Sequence, residues 1–216
     1  LGYNSGMRRS GLTLLAFSLI SFSLLWLLIT YAPVLAVELR YQSLQLVRSA
    51  FGVDDLRTLL IPNFSSFNLA ASSRYREYGI TIPKLGIDEP VIFNVDPNDE
   101  VAYTAALKQG IAHASGTAFP DNPGLGYYFA HSSNPDFRSQ FNAIFYLLGK
   151  LEKGDEIYIW QEGKRSSYRV TEQKVVDPQD VSFLHQAYDH ETIVLQTCWP
   201  PGTSSQRLLV WGERRD

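Results

Sequence analysis

The chain has 216 residues, 45% hydrophobic and 19% charged, with a formal net charge of -3. Such a length suits one domain of ordinary size plus an extension, and the apolar content supports a buried core. The charge balance argues against a nucleic-acid-binding protein, which shows a strongly basic face, and 12 tyrosines with 12 phenylalanines favour strands over a helical bundle.

The first element is the stretch from Gly11 to about Val37, GLTLLAFSLISFSLLWLLITYAPVLAV, which carries no charge. About 20 apolar residues at 1.5 Å each cross the hydrocarbon core of a bilayer. Trp26 and Tyr31 sit toward its far end, where amphipathic rings favour the interface, and Arg8 and Arg9 before it favour a cytoplasmic N-terminus. A cleaved signal peptide has a shorter apolar core and a small-residue cleavage site. Ala32-Pro33-Val34-Leu35-Ala36 is a poor one, so an uncleaved single-pass anchor is expected, with membrane lipid as a partner and the rest of the chain outside the cell. The expected divisions are residues 1–10 as a cytoplasmic N-terminus, 11–37 as the anchor, 38–78 as a juxtamembrane helix and linker, and 79–216 as the main domain.

Glu38 to Phe51 has helix-compatible spacing, and Gly52, Pro62, Asn63 and the serine-rich run after them break any longer element. The spacing leaves open whether residues 52–78 form a lid or a simple spacer. From Gly79 onward short strands dominate: Ile80–Pro83, Leu85–Phe93, Gly126–Ala130, Asp155–Gln161, Arg165–Val176, Glu191–Cys198 and Arg207–Gly212. A hairpin is expected around Glu162-Gly163-Lys164. A helix starts near Asn98 or Asp99, either a suitable cap, and runs to about Leu107; a second is expected from Phe137 to about Leu148. Closely spaced short strands with small helices between them predict a closed β-barrel, with a sandwich as the alternative.

Cys198 is the chain's single cysteine. A domain outside the cell normally pairs its cysteines in disulfides, so a lone one at a strand terminus points to a reactive thiol; burial as a small hydrophobe is the other reading. Arg207 opens the following strand after a turn-rich loop, and a hairpin would set its fixed positive charge beside the sulfur. A thiol nucleophile also needs a base. His131 lies where the hydrophobic Tyr128-Phe129-Ala130 gives way to a polar loop, a usual position for a working side chain. His113 is its rival, and His185 and His190 read as surface residues. No CxxC, HxxxH or HExxH spacing is present, so a structural zinc is not expected. Asp88, Glu89, Asp96, Asp99 and Glu100 lack an EF-hand pattern and read as a solvated face and a helix start, which leaves calcium as an open alternative.

Taken in order, these pieces resemble the sortase family of cysteine transpeptidases over about residues 79–213. Val194-Leu195-Gln196-Thr197-Cys198 is similar to the family's TLxTC signature, followed by Arg207. Tyr128-Phe129-Ala130-His131 is similar to the strand that runs into its catalytic histidine. Ile80-Thr81-Ile82-Pro83-Lys84-Leu85-Gly86-Ile87 resembles its opening IPKIG-type strand. Gly110–Pro120 and Val176–Leu184 resemble the segments before the histidine and the cysteine strand. Val194 stands where the signature has threonine, Ala130 where glycine is usual, and the bulky Trp199-Pro200-Pro201 follows the cysteine. The resemblance implies a mainly β fold, a closed barrel of about eight strands with short helical insertions. It implies that Cys198 attacks an LPxTG-like motif in a substrate protein with a C-terminal sorting signal and forms a thioester. An amine from a cell-wall precursor or a pilin lysine would then resolve it. His131 would serve as acid and base, Arg207 as oxyanion or backbone donor, and Thr197 as an aid to substrate positioning, with no cofactor. A non-catalytic wall-binding barrel and a thiol peptidase releasing to water are the alternatives.

Overall fold

The computed structural model describes residues 5–51, 73–133 and 143–215. The chain divides into two units, Leu1–Arg40 and Tyr41–Asp216. Helix α1 runs from Ser5 to Phe51 without a break, so the separate helix expected after residue 37 continues the first one. Within it, the 20 residues Thr13–Ala32 have a mean hydropathy of 2.1 and are long and apolar enough to cross a membrane. Their few hydroxyls bond back to the helix itself: Ser23 Oγ donates to the Leu19 carbonyl at 2.7 Å and Thr30 Oγ1 to that of Trp26 at 2.8 Å. Such internal bonds let a polar side chain sit in an apolar span. The spacer expected after Phe51 falls mostly on residues 52–72, outside the described residues.

Eight strands follow: β1 (Tyr78–Ile82), β2 (Ile87–Val95), β3 (Ile111–Ala114), β4 (Gly124–Phe129), β5 (Glu156–Gln161), β6 (Lys164–Val176), β7 (Glu191–Trp199) and β8 (Gln206–Arg214). They close into a barrel in the order β1-β2-β3-β4-β7-β8-β6-β5, with β5 pairing back onto β1. The sandwich alternative is thereby excluded. Two pairs, β2–β3 and β4–β7, are parallel and the rest antiparallel. Closure leaves no open sheet edge.

Local chemistry explains the connections. Glu162 and Gly163 have φ of 49° and 80° in the β5–β6 hairpin, the two consecutive positive values of a type I′ turn. Helix α2 (Glu100–Leu107) is capped by Asp99, whose carboxylate accepts from the Val101 and Ala102 amides at 3.0 Å each. Asp88, buried on β2, accepts from Ser73 Oγ at 2.5 Å, Thr81 Oγ1 at 3.1 Å and the Arg74 amide at 3.2 Å. It thus ties the segment entering the barrel to β1 and β2.

The helix expected at Phe137–Leu148 is corrected in part. Residues 137–142 lie outside the described residues, while 143–147 form turns and Leu148–Lys150 a 3-10 turn. The deepest positions there, Phe145, Leu148 and Leu151, recur every three residues, the 3-10 period and not the α-helical one.

A second buried polar cluster surrounds His113. His113, on β3, is 1% exposed and stacks on Tyr128 with ring centroids 4.8 Å apart. Its Nε2 lies 3.1 Å from the Ala118 carbonyl and 2.9 Å from Thr117 Oγ1. Thr117 Oγ1 donates to the Ala114 carbonyl at 2.8 Å, so Nε2 carries the hydrogen that it shares with both neighbours. Burial lowers the imidazole pKa from 6.5 to about 4, against a smaller opposing effect of the Ala118 bond. Unfolded, the ring takes up a proton near pH 6.5; folded, it resists until about pH 4. Stability from this group is therefore whole above pH 6.5 and lost as pH falls toward 4. His113→Phe should lower the urea midpoint at pH 7, because two bonds are lost. It should also flatten the decline between pH 7 and 4, measured as midpoints across that range; an unchanged slope counts against the assignment.

Candidate active site

Strands β4, β7, β8 and β6 lie side by side, and their registers form a grid. In the parallel β4–β7 ladder, Tyr127 faces Val194 and Phe129 faces Gln196. Beyond β4 the ladder is held for one further step: the Ala130 amide donates to the Gln196 carbonyl at 3.2 Å, and Thr197 Oγ1 donates to the Ala130 carbonyl at 2.9 Å. Carrying this register two residues past Phe129 brings His131 level with Cys198. In the antiparallel β7–β8 ladder Cys198 pairs directly with Arg207, and Arg207 pairs with Val176 of β6.

Cys198 and Arg207 therefore lie side by side on β7 and β8, and His131 lies just beyond the end of β4, next to Ala130, which is bonded to β7. Strand side chains alternate between faces, so Cys198 and Arg207 share the face of Tyr127, Phe129, Gln196, Leu209 and Trp211, and His131 lies just past the last ladder pair of β4. Directly opposed residues on one face have Cβ atoms about 5 Å apart. All three are partly accessible. Cys198 is a free thiol, as expected of a lone cysteine. Among the described residues no hydrogen bond joins it to His131 or to Arg207. Instead, Arg207 Nη1 donates to the Ser204 carbonyl at 3.0 Å and to that of Gln206 at 3.1 Å. The β7–β8 turn thus steadies the guanidinium.

Burial lowers the His131 pKa. This makes its imidazolium a readier proton donor than an exposed one. Tyr127 reports on the same cleft. Burial raises its phenol pKa, with smaller opposing contributions from the Arg207 guanidinium, which lowers it, and the Cys198 sulfur, which raises it. The phenol stays protonated and donates to Gln196 Oε1 at 2.6 Å.

Parity separates the two candidate histidines. His113 pairs with Tyr128 and points into the barrel, on the opposite side of the sheet from Tyr127 and Phe129. His190 is exposed, 3.7 Å from Glu213, and His185 is exposed in the 3-10 turn Ser182–His185. Thr197 needs correction: it is 1% exposed and faces the interior, so its hydroxyl holds the strand that leads to His131 and does not touch the cleft. Three of the carboxylates considered for calcium have other work. Asp88 is the buried anchor, Asp99 is the cap of α2, and Asp96 accepts from the Asn98 amide at 2.9 Å. Among the described residues no three His, Cys, Asp or Glu side chains cluster as metal ligands.

Sequence reasoning missed the floor of the cleft. A run of rings crosses it: Tyr103 of α2 to Phe129 at 6.5 Å, Phe129 to Tyr127 at 5.5 Å, Tyr127 to Phe183 at 5.4 Å, and Phe183 to Trp211 at 6.3 Å. Phe183, on the β6–β7 connection, is 4% exposed and pins that connection over the sheet. Alternation along Tyr127-Tyr128-Phe129 was the available signal; Phe183, in an irregular loop, gave none.

Comparison with known proteins agrees with this geometry. The model of the sortase domain matches residues 80–215. Sortase D of Bacillus subtilis (strain 168) is 25% identical over 138 residues, 62% of this chain and 62% of that protein. The chain thus matches about three fifths of that relative's length. Among solved structures, a pilus-related sortase C of Group B Streptococcus superposes with a TM-score of 0.56 at 31% identity, covering 67% of this chain and 70% of the other. A lid mutant of sortase A from Corynebacterium diphtheriae gives 0.55 at 30% identity, covering 67% and 73%. An eight-stranded barrel with a free thiol and an arginine paired across its last two strands, matched by the sortase-domain model over most of its length, belongs to the sortase family.

Proposed function

We propose that this protein is a membrane-anchored transpeptidase that cleaves an LPxTG-like sorting motif and passes the acyl group to an amine. The observation that carries this reading is the pairing of Cys198 with Arg207 across β7 and β8, with His131 following Ala130, which is bonded to β7 beside them. The Cys198 sulfur attacks, as thiolate, the carbonyl carbon between the motif's Thr and Gly. Arg207 holds a full charge at any relevant pH and donates to the oxygen as negative charge develops there. The C–N bond breaks, and the His131 imidazolium gives its proton to the leaving amine, which departs with the C-terminal fragment. A thioester remains. An incoming amine attacks it and loses its proton to His131, and the sulfur leaves as thiolate with the amide formed.

Thr197 contributes indirectly, by fixing Ala130 and so the position of the next residue. The acceptor is a cell-wall precursor amine or a pilin lysine; the pilus-related description of one structural relative supports the second. Helix α1 serves as the anchor around Thr13–Ala32, with residues 1–10 in the cytoplasm and the domain from 79 onward outside the cell. Residues 38–78 connect the two.

Three outcomes test this reading. The purified chain in detergent, given a library of LPxTG-related peptides and an amine, should show by mass spectrometry an acyl adduct on Cys198 and an amide product. Cys198→Ala should abolish both with the fold intact, and a product released only to water would favour a thiol peptidase instead. Arg207→Lys replaces a forked donor with a point charge and should lower kcat about 100-fold; near-normal kcat would remove Arg207 from the oxyanion role. In membranes of expressing cells the chain should resist a carbonate wash, and release into the soluble fraction would rule out the anchor.

A further inference from the structure

Beside Cys198 the β4–β7 part of the groove face carries one amide side chain among aromatic and aliphatic neighbours. Gln196 lies two residues before Cys198 on β7, so alternation puts both on one face, and strand rise separates them by about 6.6 Å. Its ladder neighbours are Phe129 on β4 and Leu209 on β8, and Tyr127, Phe183 and Trp211 line the next row. Within this floor Gln196 is partly exposed. Tyr127 Oη donates to its Oε1 at 2.6 Å. The phenol is buried and remains protonated, so it donates and fixes the amide's orientation. The two N–H groups of that amide have no partner among the described residues, and Gln196 lies on the face of β7 that carries the sulfur.

We infer that Gln196, oriented by Tyr127, binds the acyl-donor peptide by donating to the main-chain carbonyl of the residue two positions upstream of the one that bears the scissile carbonyl. The inference rests on the transpeptidase reading above and extends it to how the donor peptide is held. The scissile carbonyl carbon has to lie about 3–3.5 Å from Sγ for attack. An extended peptide running along β7 advances at the strand's own rise, so its residue two positions upstream lies over Gln196. Extended backbone repeats its carbonyl direction every second residue, which brings that carbonyl to the amide. Such a contact needs no N–H from the peptide, so it accepts proline at that position. Once a peptide covers the floor and excludes water, unmet amide donors would carry their full desolvation cost. The site therefore favours an extended donor in the register that meets them, and Tyr127 acts as a positioning residue.

The test uses the full chain in detergent with the peptide that acylates Cys198 fastest in the library, and with a copy in which the carbonyl of the residue two positions upstream of the one that bears the scissile carbonyl is a thioamide, a weaker acceptor. Gln196→Leu should lower kcat/KM about tenfold, mainly through KM, because the contact forms in ground and transition states alike. Tyr127→Phe should lower it several-fold, as about one orienting bond is lost. The thioamide should slow the unaltered chain comparably but change Gln196→Leu by less than about twofold, because both remove the same contact. A kcat/KM for Gln196→Leu within twofold of the unaltered chain overturns the inference, as does an equal thioamide penalty in both proteins. Gln196→Met gives the same readout if the leucine variant fails to fold by circular dichroism. Absence of any adduct on Cys198 in the unaltered chain would instead refute the transpeptidase reading itself.

Discussion

The arrangement of the site depends on strand register. The β4–β7 ladder is parallel and the β7–β8 ladder antiparallel, and together they hold residues from three separate parts of the chain beside one another. A slip of one residue in either ladder would turn one of them toward the interior, because side-chain direction alternates at every residue. The register is well secured. On the interior face, Leu195, Thr197, Leu208 and Val210 are 3% exposed or less, and a slip would carry these side chains out of the core. Core packing therefore fixes the position of the sulfur.

The same constraint explains the residues whose work is less direct. The Thr197 hydroxyl extends the β4–β7 pairing past the end of β4 by holding the Ala130 carbonyl. Without that bond the chain leading to His131 would be tied to β7 at one fewer point. Asp88 plays a comparable part on the far side of the barrel, where a buried carboxylate collects donors from Ser73, Arg74 and Thr81 and seats the entering segment against β1 and β2. Both are buried polar groups with partners, and such groups specify geometry because an unpaired alternative is costly.

The cleft floor divides its tasks between apolar area and a few polar atoms. Phe183 packs between Tyr127 and Trp211 and holds the β6–β7 connection down. The β7–β8 turn offers the carbonyls of Ser204 and Gln206 to Arg207, which restricts a flexible side chain before any substrate arrives. Gln196 is similarly restrained by Tyr127. In each case preorganisation comes from a neighbour a few residues or one strand away, so less entropy is lost when a peptide is bound.

Most strands, the β5–β6 hairpin, the α2 cap region and the apolar span of α1 were legible in the sequence, because each is written in local chemistry: alternation, Glu162-Gly163, Asp99, and the uncharged run. The placement of Cys198 beside Arg207 was legible too, since a hairpin with a short loop fixes which residues oppose each other. The 3-10 turn near Gly149 was not, because its burial follows packing against strands distant in sequence. The choice between His131 and His113 was beyond local reading, for both end short hydrophobic runs. Only the closed barrel separates them, by burying His113 and leaving His131 partly exposed past the end of β4. For the same reason tertiary structure alone placed Thr197 in the interior and left Gln196 partly exposed on the groove face: which face is interior is set by how the sheet closes, and no segment carries that information by itself.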